Sequence, residues 1–94
     1  MSQDVINLKV LTPLKLLVEE DVSEISLPGL DGYLGVLPGH RPLLVVLGRG
    51  NISFLSRGRE EKFPVQGGYA DIKPGKVLIF TELGEENNDG TVDR

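Results

Sequence analysis

His40 is the single histidine in a sequence of 94 residues that has no cysteine. A metal site would have to gather carboxylates around that one imidazole, and neither H-x-H nor H-E-x-x-H spacing is present. Without cysteine, disulfides, thiolate zinc sites and thiol nucleophiles are excluded. His40 therefore reads as a hydrogen-bonding or interface residue. Glu19, Glu20 and Asp21 bring three carboxylates together, but acid–base catalysis needs carboxylates facing each other in environments that separate their pKa values. Three adjacent acids read instead as a solvated hairpin tip. Gly48-Arg49-Gly50-Asn51-Ile52-Ser53 begins like a G-x-G-x-x-G phosphate loop, yet serine fills the last place and no helix follows to present its N-terminus. The stretch reads as a hairpin turn. Arg49, Arg57, Arg59 and Lys62 form the one basic concentration, with Glu60 and Glu61 among them, which favours an internally paired, solvated hairpin end. No catalytic residue, cofactor, metal or small-molecule substrate is expected.

Composition points the same way. A formal charge of −4 and a pI near 4.9 oppose nucleic-acid and anionic-lipid binding, which draw on clustered lysine and arginine. The few aromatics, two tyrosines and three phenylalanines, are not interleaved with basic residues as base-stacking platforms require. Prolines and glycines interrupt every apolar run well short of the ~20 residues that span a bilayer. The start, Met1-Ser2-Gln3-Asp4, has neither the basic nor the apolar region of a secretion signal. A protein partner is the reading these features leave.

The elements that would position any site are strands. Ile6, Leu8 and Val10 alternate with Asn7 and Lys9, and Ile25 and Leu27 with Glu24 and Ser26, as in half-buried strands. Leu43-Leu44-Val45-Val46-Leu47 is apolar on both faces, which fits a strand covered on both sides or one at an interface. Pro64 cannot donate to a ladder, so its strand is expected at an edge. Lys73-Pro74-Gly75-Lys76 has the residues of a type II turn. No apolar residues recur with helical period over three turns. The expected fold is all-β: a small two-sheet β-sandwich or flattened barrel of about eight to ten short strands, without substantial helix. Residues 5–83 would form the domain, residues 1–4 a flexible N-terminus and residues 84–94 a disordered acidic tail.

Between two of these strands lies Gly32-Tyr33-Leu34-Gly35-Val36-Leu37-Pro38-Gly39-His40, too rich in glycine and proline for a helix and too apolar for an ordinary solvated loop. It either crosses the core or offers an apolar surface to a partner.

With Pro42-Leu43-Leu44 after it, this segment resembles the signature of the ε subunit of F-type ATP synthases. Leu8-Lys9-Val10-Leu11-Thr12-Pro13 is similar to that family's first strand, and the stretch from Glu19 to Ile25 to its E-x-V-x-x-I hairpin. Gly48-Arg49-Gly50 falls where the family turns after its central strand, and Gly67-Gly68-Tyr69-Ala70-Asp71-Ile72 resembles its Gly-Gly-aromatic segment. The resemblance covers roughly residues 5–83 in unbroken order, and Gly35, Pro38, Gly39, Pro42, Gly67 and Gly68 form its backbone motif.

It implies a non-catalytic β-sandwich in the central stalk, between the γ shaft and the polar loops of the c-ring, peripheral to the cytoplasmic face of a bacterial membrane. By matched position Asp31, Gly32 and Tyr33 would reach the c-ring, whereas Thr12, His40 and Val45 would face γ. Tyr33 departs from the pattern, since many members carry an acid there. Where typical members continue into a helical hairpin that senses ATP and blocks rotation, this sequence runs into an acidic tail, so inhibition and ATP binding are not implied for it. Two other readings compete: a stand-alone adaptor holding an acidic partner on the basic hairpin of Arg57, Arg59 and Lys62, and a small hydrolase or carbohydrate-binding β-domain.

Overall fold

A computed structural model describes residues 5–83; the expected flexible N-terminus and acidic tail lie outside the described residues. The described chain forms seven strands: β1 (Ile6–Leu11), β2 (Leu16–Val22), β3 (Glu24–Gly29), β4 (Gly32–Val36), β5 (Leu43–Ser56), β6 (Arg59–Lys73) and β7 (Lys76–Leu83). They hydrogen-bond into one sheet in the order β2-β1-β7-β6-β5-β3-β4. Neighbours are antiparallel apart from β1 and β7, which run parallel.

The number of strands is smaller than expected because β5 and β6 are long, 14 and 15 residues. They pair from Leu43↔Ile72 to Ser56↔Arg59. The expected hairpin turn at Gly48-Arg49-Gly50-Asn51 does not exist: β5 runs through it, with Arg49, Gly50 and Asn51 paired to Gln66, Val65 and Pro64. The glycines serve a bend. On β6, Val65 pairs with Leu83 but Gly68 already pairs with Thr81, so one extra residue bulges out of the β6–β7 ladder and bends the strand. The buried Thr81 donates from Oγ1 to the Gly67 carbonyl at 2.7 Å. Gly68 has φ +119°, and a Cβ there would run into the Phe80 carbonyl.

The bend folds one sheet into two layers. β2, β1, β7 and the adjoining halves of β6 and β5 make the first; the other halves of β5 and β6 with β3 and β4 make the second. Ile6, Leu8, Val10, Ile72, Val77 and Ile79 from the first layer share a core with Ile25, Leu27, Val36, Ile52, Phe54 and Val65 from the second. Each fully buried aliphatic side chain contributes roughly 1.5–3 kcal/mol relative to exposure. The alternations read from the sequence are present, since Ile6, Leu8, Val10, Ile25 and Leu27 are all fully buried.

Three local expectations change. Glu19, Glu20 and Asp21 are not a hairpin tip; they lie within β2, opposite Lys9, Leu8 and Asn7. The tip is the turn before them, where the Thr12 hydroxyl accepts from the amides of Leu14 and Lys15, both at 3.2 Å. Acidic residues suit β2 because it is an outer strand of the sheet, and charge there discourages pairing with another chain. The Pro74-Gly75 turn is not type II, because Gly75 lacks positive φ. That geometry occurs at Leu37-Pro38-Gly39-His40, where the His40 amide donates to the Leu37 carbonyl at 3.1 Å and Gly39 has φ +89°. The two Pro-Gly turns touch: the Gly39 amide donates to the Pro74 carbonyl at 2.8 Å. Pro64 lies in the part of β6 beyond the Val65↔Leu83 pair, which among the described residues is a local edge within a strand that is central elsewhere.

Replacing Gly68 with alanine is expected to cost about 3 kcal/mol or more, because the residue loses both its φ and its clearance. Gly35→Ala, which meets open space, should stay within about 1 kcal/mol of the parent. Urea midpoints of the two variants measure the contrast. Thr12→Ala should lose about 1 kcal/mol in the same assay and Thr12→Ser should not, since the turn needs only the hydroxyl.

Candidate functional site

The β3–β4 hairpin closes at Gly29↔Gly32 with Leu30 and Asp31 in the turn, both exposed. Asp31 therefore projects into solvent, while Gly32 and Tyr33 already belong to β4. Tyr33 is 62% exposed, yet its hydroxyl accepts a hydrogen bond from the Asn51 amide at 3.1 Å. To get there the side chain crosses β3, its partner there being Pro28, and passes above Gly50, where a Cβ would lie 2.5 Å from the hydroxyl.

Beside the tip runs the first part of β5. Leu43 to Val46 and the stretch from Gly29 to Leu34 line one open cleft of about 460 Å³. Leu44 and Val46 point away from the core and are 66% and 57% exposed; Val45, between them, is half-buried and packed against the core. The matched position Val45 is thus an inward support, and the outward surface belongs to its neighbours. Of the two options for this apolar run, coverage on both sides or an interface, the exposure of Leu44 and Val46 selects the second.

The apolar surface continues over the first layer. Val46 pairs with Tyr69, Tyr69 with Phe80 and Phe80 with Leu11, a row across four strands. The Tyr69 and Phe80 rings pack with centroids 5.2 Å apart. Thr12 and Pro13 adjoin this row at the Leu11 end. His40 lies at the other end of the layer, beside the Pro74 turn, and its Nδ1 donates to the Arg41 carbonyl at 2.7 Å. Thr12 and His40 are consequently not in contact; they lie at opposite ends of the layer, Thr12 beyond the Leu11↔Phe80 pair and His40 beside the Pro74 turn. Pro38 and Gly39 build the turn that carries His40, and Pro42 leads into β5. Gly35 lies in β4, while Gly67 and Gly68 form the bulge in β6. Sequence reading overlooked Leu11, Leu44, Val46, Tyr69 and Phe80 as a surface. Their signal was an apolar residue at each outward position of β5 and β6, visible only once the inward positions are known.

The basic hairpin is placed differently. Arg57, with φ +54°, and Arg59 line a cleft together with Glu19, Glu20, Asp21 and Glu61, and Arg59 pairs with Glu61 at 3.8 Å. The chain's own acids face these arginines. Among the described residues no group of three or more His, Asp and Glu side chains could hold a metal.

Comparison with known proteins agrees along nearly the whole length. The family model for the ATP synthase delta/epsilon chain β-sandwich domain matches residues 5–87. The ATP synthase epsilon chain of Solibacter usitatus is 36% identical over 91 residues, covering 97% of this chain and 68% of that protein. That of Koribacter versatilis is 39% identical over 82 residues, covering 87% and 58%. Among solved structures, a chain of the Euglena gracilis mitochondrial ATP synthase OSCP/F1/c-ring assembly superposes with a TM-score of 0.78 at 27% identity, over 83% of this chain and 51% of that one. A chain of the Tetrahymena thermophila central stalk and c-ring shares the fold, with a TM-score of 0.69 at 18% identity, over 82% and 63%. The chain thus spans roughly half to two-thirds of the length of the proteins it matches. It belongs to the β-sandwich domain family of the ATP synthase delta and epsilon chains.

Proposed function

We propose that this chain is a non-catalytic subunit of the central stalk of an F-type ATP synthase, joining the γ shaft to the c-ring and supporting the coupling of ion translocation to ATP synthesis and hydrolysis. The observation that carries the reading is the juxtaposition of an exposed hairpin tip, Leu30 and Asp31, with the uncovered apolar side chains of Leu44 and Val46, in a member of this family. The carboxylate that Asp31 offers at the tip suits the polar loops of a ring at a membrane surface, and a wide apolar face suits a shaft of protein. In this reading Asp31, Gly32 and Tyr33 form the c-ring end. The γ face is the outer surface of β5 and its neighbours, bordered by His40 and Thr12 and supported from beneath by Val45. The assembly would sit peripherally on the cytoplasmic face of a bacterial membrane, without the chain entering the bilayer.

The adaptor reading loses ground because the arginines it relies on face Glu19, Glu20 and Asp21 of the same chain. An external acidic partner would have to displace or repel these carboxylates.

Deleting the chain from the enzyme should abolish ATP-driven ion pumping while leaving ATP hydrolysis; pumping that persists unchanged would overturn the proposal. The double variant Leu44→Glu, Val46→Glu should weaken co-purification with γ by a hundredfold or more, on the order of 3 kcal/mol, without lowering the melting temperature appreciably, because both side chains are exposed. Arg57→Glu with Arg59→Glu should leave γ binding unchanged, whereas the adaptor reading expects loss of partner.

A further inference from the structure

We infer that Tyr33 is a positioning residue: it fastens the β3–β4 tip to the middle of β5, so that the tip and the apolar face move as one rigid piece. This role deepens the central-stalk reading and rests on it.

Three independent features converge on the phenol. The β3–β5 ladder passes from Gly29↔Leu47 directly to Ser26↔Ser53, so six residue steps of β5 face three of β3. The intervening part of β5 is out of register with β3, and the Asn51 amide is satisfied there by the Tyr33 hydroxyl at 3.1 Å. Next, the phenol can reach that amide only because residue 50 is glycine. A Cβ at this position would lie 2.5 Å from the hydroxyl, 3.4 Å from the ring carbon bearing it and 2.9 Å from the Pro28 side chain. Finally, Pro28 is buried although it lies opposite the exposed Tyr33 in the β3–β4 ladder. One side chain thus spans three strands, β4, β3 and β5, with a hydrogen bond at its far end and a close contact in between.

The place where it lands gives it mechanical meaning. Asn51 follows directly on the bent part of β5, and Leu44 and Val46 precede that bend on the same strand. Apart from its own ladder, the two-residue turn is tied to β5 at its base by the single Gly29↔Leu47 pair, and hairpin ends held by so few contacts fray at low cost. With the phenol in place, torque delivered at Asp31 enters β5 through a side chain as well as through β3. Within the c-ring end, Leu30 and Asp31 stand furthest out in the turn, and Tyr33, one step behind them in β4, keeps them in register with the γ face.

Tyr33→Phe removes the hydroxyl and keeps the ring. In the free chain, amide hydrogen exchange followed by NMR should show Asn51 exchanging about five- to tenfold faster in this variant, with the core amides of β1 and β7 unchanged. In the assembled enzyme the same variant should co-purify with γ as the parent does, while the ions pumped per ATP hydrolysed fall measurably. Gly50→Ala, which pushes the phenol off its seat, should reproduce both signatures. Unchanged exchange at Asn51 would overturn the inference, and so would faster exchange with an unaltered pumping ratio in an enzyme that deletion of the chain uncouples. An enzyme that pumps normally after deletion would instead remove the central-stalk reading, leaving the exchange result to stand by itself.

Discussion

The fold depends on one bend. β5 and β6 are a single long ribbon, and they turn together where Gly48 lies between the paired residues Leu47 and Arg49 and where Gly67 and Gly68 bulge against β7. Without that bend the seven strands would form an open twisted sheet with one apolar face in water; with it, the sheet covers itself and Ile6, Leu8 and Val10 meet Ile25, Leu27 and Phe54 across a shared core. A small domain has little burial to spare, so the stability of the whole rests on closing these two layers. The Thr81 hydroxyl held against the Gly67 carbonyl is the polar contact that fixes the angle. It is also why a buried polar side chain is tolerated at that point, because its hydrogen bond removes the cost of burial.

The same bend creates the surface. On the inner side it closes the core, whereas on the outer side it leaves the first part of β5 with β6 on one flank and an open cleft on the other. Leu44, Val46, Tyr69 and Phe80 are then committed to the exterior by strand alternation, since Val45, Ala70 and Ile79 take the interior. A domain that places apolar side chains outside for reasons of register, and in a contiguous row, is built for a partner rather than for solitary solubility.

Where the period-2 pattern was clean, as in β1 and β3, the residues disclosed which side chains are buried. The pattern failed where a local signal and a tertiary one disagreed. Glycines between two apolar runs are the usual mark of a hairpin, yet at Gly48 and Gly50 pairing with β6 carries the strand on through a bend without a break. Three consecutive acids resemble a tip, yet they line an outer strand whose polar character has its own use. Pro-Gly pairs at 38–39 and 74–75 look equivalent, and only the first adopts positive φ at glycine. The resemblance pointed to Asp31 and to Val45 in the apolar run after Pro42, but which side chains of that run are exposed, Leu44 and Val46, and which packs against the core, Val45, follows only from the strand's facing in the fold. Nor could residue types disclose that the Tyr33 hydroxyl meets an amide 18 positions away, because that contact exists only after β5 has slipped its register against β3.

The parallel ladder between β1 and β7, from Asn7↔Lys76 to Leu11↔Phe80, joins the first described strand to the last. A chain emerging from the ribosome can form the β1–β2, β3–β4 and β5–β6 hairpins early, but the β1–β2 pair must wait until almost all of the domain has been made before β7 joins it to the rest of the sheet. Contacts so distant in sequence slow closure, and until β7 arrives the apolar faces of β1 and β6 remain uncovered. The order of synthesis thus leaves a window in which the domain is vulnerable to aggregation, and the window closes only when its two ends meet.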